Sequence, residues 1–359
     1  MIPVPGNSSR LFTTYSEAIT QPIGYLNFGL APTNSMIIND AYNPDLIRYD
    51  QNYSTVNETQ LSNSFMIFRP TLEKFFDSMF IDIGCGQGEF VRKIREFGCR
   101  AVGFDPVLQN PSDGLYKRLF DAESLTEVQD LSDHKVFIMR CVLPHIQNPW
   151  NFLDVIFDRF PHSLVVLQHQ NFPKLISNGQ WNLLMHDHVN LFRLVDFRDK
   201  YHVVEHSEFA DSEWDQVILS KGVKHVGSLP QNEMTDTHAR DLAELSQLIR
   251  IRETHIEVLS QFSDVWIYGA AGKGINFAFA LTQSGVRITG ALDENQSLSG
   301  KFLECSGVEI FSFSEFIKRR INDSLVVVMN QNHLENARSK IGHLARTVGI
   351  KDLVCLPLQ

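Results

Sequence analysis

Strand-like and helix-like patterns alternate between residues 63 and about 225. Residues 79–83 are apolar apart from one acid, as in a buried strand, and apolar side chains then recur on one helical face at 90, 94 and 97. Residues 101–104 form a second apolar run that ends on Asp105, and later runs predict strands at 134–140 and 163–167. Such alternation predicts a mainly parallel, doubly wound α/β sheet, with ligands beyond the carboxyl ends of its strands.

The flanking regions follow different patterns. Residues 1–62 are mixed and polar, and we interpret them as a small N-terminal cap over the next domain, with Tyr53 as a candidate to close over a cofactor. Apolar residues at helical spacing predict one long linking helix within 226–263, and a second strand–helix alternation fills 264–359. The predicted organisation is therefore a cap (1–62), a central domain (63–225), a linking helix (226–263) and a second Rossmann-like domain (264–359).

Composition narrows the functional classes. Hydrophobic residues make up 43% of the 359 residues, enough for sizeable cores, and no apolar run is long enough to span a bilayer. The net charge of −10, without a basic patch, argues against a nucleic-acid substrate. The five cysteines form no C-x-x-C pair, which argues against a zinc knuckle or a disulfide framework. With no signal-peptide pattern at the N-terminus, we expect a cytoplasmic protein that acts on a small molecule.

A glycine-rich turn joins the first strand of the central domain to its helix. Gly84, Gly86 and Gly88 alternate there, so the backbone can adopt φ > 0 and present amide groups to an anionic ligand. Asp82 lies inside the preceding strand, and Asp105 follows at the tip of the second strand, where an acid can accept hydrogen bonds from a ribose. The turn therefore predicts a nucleoside-containing ligand.

The glycine spacing decides which nucleoside is favoured. It is G-x-G-x-G rather than the dinucleotide pattern G-x-G-x-x-G, and it resembles motif I of class I methyltransferases that use S-adenosylmethionine (SAM). In those enzymes the glycine turn holds the methionine end and the acid holds the ribose. Asp121 and Cys141 start later loops at the same sheet edge and are further candidate SAM contacts. A dinucleotide site and an empty turn are the alternatives.

Polar, titratable groups interrupt the apolar sequence at two later places. The first contains His169, and the second contains His186, Asp187, His188 and Asn190. One interpretation makes His188 or His186 a general base whose tautomer a buried Asp187 or Asn190 fixes. If the second segment is a strand, His186 and His188 share a face and could instead bind a metal with Asp187 or His169. Structural histidines are the third possibility.

The second Rossmann-like unit has its own glycine turn, with G-x-x-G-x-G spacing at 269–274. This spacing lacks both the dinucleotide pattern and a full phosphate loop, although a second cofactor is possible. Lys273 within the turn could hold a substrate phosphate or could be solvated. Asn276, three residues further on, is a second candidate substrate contact.

Taken together, these motifs resemble the sugar C-methyltransferases that act on nucleotide-linked 4-keto-6-deoxyhexoses. That family has an N-terminal zinc-binding domain, a central SAM domain and a C-terminal Rossmann-like domain, and the resemblance covers nearly the whole chain. The matching segments are I-G-C-G-Q-G at 83–88, G-F-D-P at 103–106, V-L-P-H-I at 142–146, N-Y at 52–53, M-H-D-H at 185–188, Y-G-A with K-G within 268–274, and D with G-K within 293–301.

The departures from the family pattern also predict properties. The zinc cysteines are absent, so we expect no zinc and no metal ligands. Met185 and Asp187 replace the tyrosine and glutamate of the family's Y-H-E-H signature. His188 takes the position of the proposed general base, and the resemblance implies that His145 and Asn190 bind or orient substrate.

The resulting prediction is an α/β enzyme that transfers a methyl group from SAM to a carbon next to a ketone in a nucleotide-linked sugar. Methylation of oxygen or nitrogen on another small molecule is the nearest alternative. Other classes are a nicotinamide-dependent oxidoreductase and a non-catalytic SAM-binding partner of a biosynthetic complex.

Overall fold

The computed structural model describes residues 1–7, 10–31, 36–48, 58–210, 213–222, 231–319, 324–329, 334–347 and 354–357. The candidate Tyr53 lies outside these residues. Within them, no helix is long and apolar enough to cross a membrane.

The N-terminal residues form short strands that pair with several parts of the chain. The elements are β1 (Ile2–Pro5), β2 (Leu11–Phe12), α1 (Tyr15–Ile19), β3 (Ile23–Leu26), β4 (Phe28–Leu30) and β5 (Ile37–Asn39). β1 pairs with β3 and β4 with β5, all antiparallel. β5 also pairs with residues 190–191, and β2 pairs with residues 302–303. The N-terminal region is therefore joined to both later parts of the molecule.

A seven-stranded sheet forms the centre of the structure. Its strands are β6 (Met79–Ile83), β7 (Arg100–Phe104), β8 (Leu115–Tyr116), β9 (Lys135–Arg140), β10 (Leu164–Gln170), β12 (His202–Phe209) and β13 (Trp214–Ser220), with the two-residue β11 (Asn190–Leu191) lying outside it. The helices between them are α2 (Glu58–Lys74), α3 (Glu89–Glu96), α4 (Ala122–Glu127), α5 (Pro149–Arg159), α6 (Phe172–Ser177) and α7 (Leu194–Arg198). The strand order is β12-β13-β10-β9-β6-β7-β8, and only β13 runs antiparallel to its neighbours. The predicted α/β fold class is confirmed.

The sheet buries apolar side chains on both faces. All five residues of β6 are buried, and α3 places Phe90, Val91 and Ile94 against one face of the sheet. The opposite face packs against α5, including Leu153 and Ile156. A sheet covered on both sides explains why its central strands are almost continuously apolar, with few polar residues to interrupt them.

A long helix and a second sheet complete the chain. The elements are α8 (Gln231–Leu259), β14 (Val265–Tyr268), α9 (Gly272–Gln283), β15 (Ile288–Leu292), β16 (Phe302–Leu303), β17 (Ile310–Phe311), α10 (Phe313–Arg319), β18 (Leu325–Val328), α11 (Leu334–Thr347) and β19 (Val354–Pro357). The sheet order is β17-β15-β14-β18-β19, and all of these pairs are parallel. β16 lies outside that sheet and pairs with β2.

The parallel strands β6, β7, β9 and β10 end at one edge of the central sheet, as the alternating pattern predicts. One strand there runs further than the sequence predicts. The strand predicted at 163–167 continues to Gln170, because β10 pairs with β13 over this length. Gln168 and His169 are therefore buried strand residues: the side-chain amide of Gln168 donates to Gln216 Oε1 at 2.8 Å.

Candidate active site

The glycine turn after β6 adopts the backbone conformation that the sequence predicts. Gly84, Gly86 and Gly88 have φ values of 73°, 61° and 79°, which L side chains rarely adopt. A Cβ atom on Gly84 would also lie 2.5 Å from Val142 Cγ2. Glycine is therefore required for this loop to turn so closely beneath the chain that follows β9.

Asp105 fastens this turn to the tip of β7. Its Oδ2 accepts a 2.8 Å hydrogen bond from the Gly86 N–H, and its Oδ1 accepts a 2.9 Å bond from the Val107 N–H. Burial raises the pKa of Asp105, and these two backbone N–H groups partly oppose that rise. Each carboxylate oxygen keeps a second lone pair, so the group can still accept from a ribose hydroxyl.

Asp82 presents a buried, unsatisfied acceptor beneath the same turn. Its Oδ2 lies 3.5 Å from Arg140 Nη2, whereas its Oδ1 has no hydrogen-bond partner in the described part of the chain. Burial raises the pKa of Asp82 to about 6, although Arg140 lowers it. A buried acceptor of this kind suits the ammonium group at the methionine end of SAM, so the residues present fit that cofactor.

Two other candidate SAM contacts lie at the same edge. Asp121 caps α4: its Oδ1 accepts 3.0 Å bonds from the N–H groups of Glu123 and Ser124. The residue also borders an open cleft of about 330 Å³ between α4 and α5. Cys141, just after β9, is exposed and has a φ of 57°, and its N–H donates to Gln168 O at 2.8 Å. Their contact with SAM stays a prediction.

Three of the predicted reactive residues come together beside this edge. His145 ends the short 3-10 turn Leu143–His145 after β9. Its Nδ1 lies 2.9 Å from the backbone oxygen of Asp187 and 3.3 Å from Asp187 Oδ2. The ring centroids of His145 and His188 are 4.9 Å apart. His145, Asp187 and His188 thus form one cluster with close ligand atoms.

The pKa values of the two histidines in this cluster are displaced in opposite directions. Burial lowers the pKa of His145, but the nearby Asp187 carboxylate outweighs burial and raises it above its ordinary value. The same pair keeps the pKa of Asp187 low despite its burial. Burial and the adjacent His145 lower the pKa of His188 to about 4. At neutral pH His188 is a neutral acceptor, next to a His145–Asp187 pair that favours the ionic state.

The segment that contains His186 and His188 is not a strand, so the condition for a metal site with both histidines on one face is not met. Residues 186 and 187 form a turn, and only β11 at the end of the segment is extended. The turn is fixed because the Val189 N–H donates to Pro144 O at 2.9 Å and the His188 N–H donates to Met185 O at 3.2 Å. His186 and His188 therefore do not share a face, and Asp187 pairs with His145 rather than fixing the tautomer of His188.

His186 was predicted to contact substrate, and the structure places it elsewhere. Its side chain is only 1% exposed. Nδ1 lies 3.0 Å from Tyr25 O and Nε2 lies 3.1 Å from the Asn43 nitrogen, so the ring bridges the N-terminal backbone. A buried ring with both nitrogens committed holds the fold together and cannot also reach a substrate.

The metal set proposed from the sequence is not assembled, since His169 and His186 lie outside the cluster. His169 is buried in β10 with its Nδ1 2.9 Å from Gln170 O. Asn190 remains near the cluster: its amide donates to Ile146 O at 2.6 Å. A separate group with close ligand atoms lies on the β12–β13 hairpin and consists of His206, Glu208 and Asp215.

The two candidates from the second glycine turn face the central domain. Lys273 Nζ lies 3.8 Å from Glu213 Oε2, and burial lowers the pKa of Lys273 although Glu213 opposes this. Asn276 is 2% exposed, and its amide donates to the backbone oxygens of Asn182 and Leu184. Neither a solvated lysine nor a free asparagine amide is present. Both N–H groups of the Asn276 side chain are used by these backbone oxygens, and its contact with substrate stays a prediction.

Sequence reasoning did not find two residues beside the cluster. The Tyr42 ring lies 5.5 Å from that of His186, and burial, followed by the charge of Asp187, raises the pKa of Tyr42. Glu304 is 1% exposed, and burial raises its pKa to about 7, with a smaller contribution from Asp187. Both residues come from segments distant in sequence, so no local motif could have indicated them.

One comparison with known proteins matches the part of the chain that carries this site. Residues 68–202 match the family model described as a methyltransferase domain, which spans β6 to the start of β12. A comparison with curated proteins found no match.

Among solved structures, the small RNA methyltransferase HEN1 is 16% identical with a TM-score of 0.35, and the match covers 50% of this chain and 28% of that one. A SAM-dependent methyltransferase from Archaeoglobus fulgidus is 14% identical with a TM-score of 0.33, covering 45% of this chain and 94% of the other. The bifunctional kinase-methyltransferase WbdD is 14% identical with a TM-score of 0.30, covering 46% and 39%. These similarities are too low to bear on the substrate.

The residues that the family model matches include the glycine turn and the acid at the tip of β7. Residues 68–202, the part of the chain that carries the site, match a methyltransferase domain.

Proposed function

We propose that this protein is a SAM-dependent methyltransferase, and that it methylates a carbon next to a ketone in a nucleotide-linked deoxysugar with His188 as the general base. The observation that carries the proposal is the cluster of His188, His145 and Asp187, in which two adjacent histidines have opposite pKa displacements. A neutral acceptor, His188, beside a histidine whose protonated form is favoured suits the removal of a proton next to a carbonyl group.

In this proposal the turn after β6 holds the cofactor. Gly84, Gly86 and Gly88 let the backbone approach the methionine end, Asp82 pairs with its ammonium group and Asp105 accepts from the ribose hydroxyls. When bound, SAM supplies an electrophilic methyl group. A carbon acceptor needs a base as well, because a C–H bond is not nucleophilic until an enolate forms.

His188 and His145 have complementary roles in that step. His188 takes the proton from the carbon, and the C–H electron pair moves into the enolate, with negative charge developing on the ketone oxygen. A pKa near 4 makes His188 a weak base, so proton removal depends on stabilising that oxygen at the same time. The Asp187 carboxylate, 3.3 Å from His145 Nδ1, favours the protonated form of His145, and that form can donate to the ketone oxygen.

The polar atoms around the cluster support a substrate rich in hydroxyl groups. Asp187 Oδ1 and Asn190 Oδ1 are buried acceptors without a hydrogen-bond partner among the described residues. Leaving such atoms unsatisfied is costly, so a ligand that donates hydrogen bonds would be favoured there. Sugar hydroxyls are donors of this kind.

The proposal is tested by incubating the enzyme with methyl-labelled SAM and a panel of nucleotide-linked keto-sugars. We expect the label on the carbon next to the ketone, located by mass spectrometry and NMR. The matched control is each sugar with its ketone reduced to an alcohol, which should not be methylated. Label on an oxygen or nitrogen of either sugar would contradict carbon methylation.

Methylation of an oxygen is the second candidate, and one observation favours it. Met185 occupies the place of the family tyrosine and is buried, so this position offers no hydroxyl to assist enolate formation. Methylation of a hydroxyl group requires no enolate, and a base as weak as His188 is then less of a limitation.

A further inference from the structure

Asn276 connects the second glycine turn to the reactive segment of the central domain. It lies near the start of α9, and its Nδ2 donates to Asn182 O at 3.1 Å and to Leu184 O at 2.8 Å. Asn182 and Leu184 are themselves buried. Both amide protons are therefore used to hold one short stretch of backbone.

That stretch leads directly into the turn that carries the catalytic candidates. Leu183, between the two bonded carbonyls, presents its own carbonyl to the His188 side chain. The His188 N–H also donates to Met185 O at 3.2 Å. The position of the His188 ring thus depends on the backbone of residues 182–185. Asn276 holds two carbonyl groups of that stretch.

α9 contacts this stretch at a second point. The ring of Phe277 stacks on that of Trp181, with centroids 5.5 Å apart and an interplanar angle of 26°. Lys273, at the start of the same helix, pairs with Glu213 of the central domain. A buried polar contact alongside an aromatic stack gives the interface both stability and a defined register.

We propose that Asn276 is a positioning residue for methyl transfer, through which the C-terminal sheet and helix unit holds the chain ahead of His188. The inference rests on the proposed role of His188 as the base. It assigns the second unit a role in assembling the active site of the first, in addition to any ligand of its own.

The test uses the full-length protein with Asn276→Ala and Asn276→Ser. Removing the amide leaves two buried carbonyls unpaired, so residues 182–185 shift and water reaches His188. Because burial is the largest cause of the low pKa of His188, we expect that pKa to rise from about 4 towards 6.5 in Asn276→Ala. Asn276→Ser keeps one donor and should give a smaller rise. Titration of ¹⁵N-histidine-labelled protein by NMR measures this.

Turnover provides the second readout. We expect kcat to fall roughly 100-fold in Asn276→Ala, the size of effect that a misplaced catalytic group produces, while the Kd for SAM stays the same. Thr282→Val is the matched control on the same helix, because the Thr282 hydroxyl bonds only to α9 carbonyls. It should change neither the His188 titration nor kcat.

An unchanged His188 pKa in an Asn276→Ala protein that still binds SAM would overturn the positioning role. If that variant does not fold, Asn276→Ser decides in the same way. The titration needs no methyl acceptor, so this result is separate from the sugar assay: failure to methylate any keto-sugar would reject the proposed function without affecting the positioning measurement.

Discussion

At the residue scale, His145 and His188 show how the pKa of one side-chain type is displaced in opposite directions at neighbouring positions. Their rings are 4.9 Å apart, yet the Asp187 carboxylate lies against only His145 Nδ1. That charge raises the pKa of His145, whereas burial and, after it, the charge of His145 lower the pKa of His188. Two titratable groups whose environments push their pKa values apart are a recognised basis for assigning acid and base roles.

Replacement of His188 by alanine tests the base. We expect His188→Ala to slow turnover roughly 100- to 10,000-fold, the usual contribution of general acid–base catalysis, and to leave SAM binding intact. It should also stop solvent deuterium exchange at the carbon next to the ketone, measured by mass spectrometry without SAM. His134 is exposed, so His134→Ala is the control. With this variant, the carbon next to the ketone should exchange deuterium at the normal rate. Exchange that persists in His188→Ala would move the base to another residue, with His145 first in line.

Asp105 allows a direct test of the SAM site with an internal control. Asp293 occupies the equivalent place in the second unit, where it accepts a 2.8 Å bond from the Ala270 N–H. Asp105→Ala removes the charged acceptor for the ribose, so the Kd for SAM should rise about 10- to 100-fold. Asp293→Ala should leave it unchanged. Isothermal titration measures both, and equal effects of the two substitutions would show that the loss is not specific to the SAM site.

Residues differ in how far the sequence could predict them. Asp105 follows a buried strand at a fixed distance from a glycine turn, so its position depends on local geometry. His186 is two residues from His188 in sequence, but its environment is set by Tyr25 and Asn43, which are more than 140 residues away. Such contacts leave no periodic pattern for a sequence-based prediction to detect.

At the element scale, the two glycine turns are built alike but packed differently. In each, an acid at the tip of the second strand accepts a backbone N–H from the turn: Asp105 from Gly86, and Asp293 from Ala270. In the second unit, a Cβ on Gly274 would lie only 1.9 Å from Gly269 O, so α9 packs tightly against its own loop. The hydrogen-bond pattern is shared, and the contacts around it differ.

A glycine substitution tests the first turn as an element. Gly88 is the N-cap residue of α3 and has a φ of 79°. A Cβ atom at this position would lie 2.6 Å from Cδ1 of the buried Leu115. We expect Gly88→Ala to lower the free energy of unfolding by more than about 1 kcal/mol and to weaken SAM binding. Chemical denaturation and isothermal titration measure these effects.

The matched control for that substitution is Gly285→Ala. Gly285 has a similar φ of 78°, but a Cβ there would meet no atom of the described chain within 4 Å. The Gly285→Ala variant should have a lower free energy of unfolding because of backbone strain, and it should bind SAM with unchanged affinity. If Gly88→Ala retains full SAM affinity, the turn does not contact the cofactor as proposed.

At the scale of the whole molecule, three distant parts of the chain surround the reactive turn. N-terminal backbone holds His186, the loop after β9 holds Asp187, and α9 holds the carbonyls of Asn182 and Leu184. Strand pairing reinforces this arrangement, because β5 pairs with β11 and β2 pairs with β16. The site is therefore sensitive to the way these parts pack together.

The expected absence of zinc is also a property of the whole protein. The sequence has no C-x-x-C pair, and we predict less than stoichiometric zinc in purified protein, measured by elemental mass spectrometry. The structure defines what a contrary result would mean. If one equivalent of zinc is bound by the protein and is absent from His188→Ala, the metal lies in the cluster of His145, Asp187 and His188. If the zinc is absent from His206→Ala instead, the metal lies on the β12–β13 hairpin.

The sequence by itself determined the α/β class, the glycine turn and the position of Asp105. These depend on apolar periodicity and on backbone freedom over a few neighbouring residues, which are written locally in the chain. Only the tertiary structure decided that Asp187 pairs with His145, that residues 186 and 187 turn, and that the Asn276 amide donates to backbone oxygens. Each of these follows from which remote donors and acceptors become buried together, because a buried polar group takes whichever partner packing brings within reach.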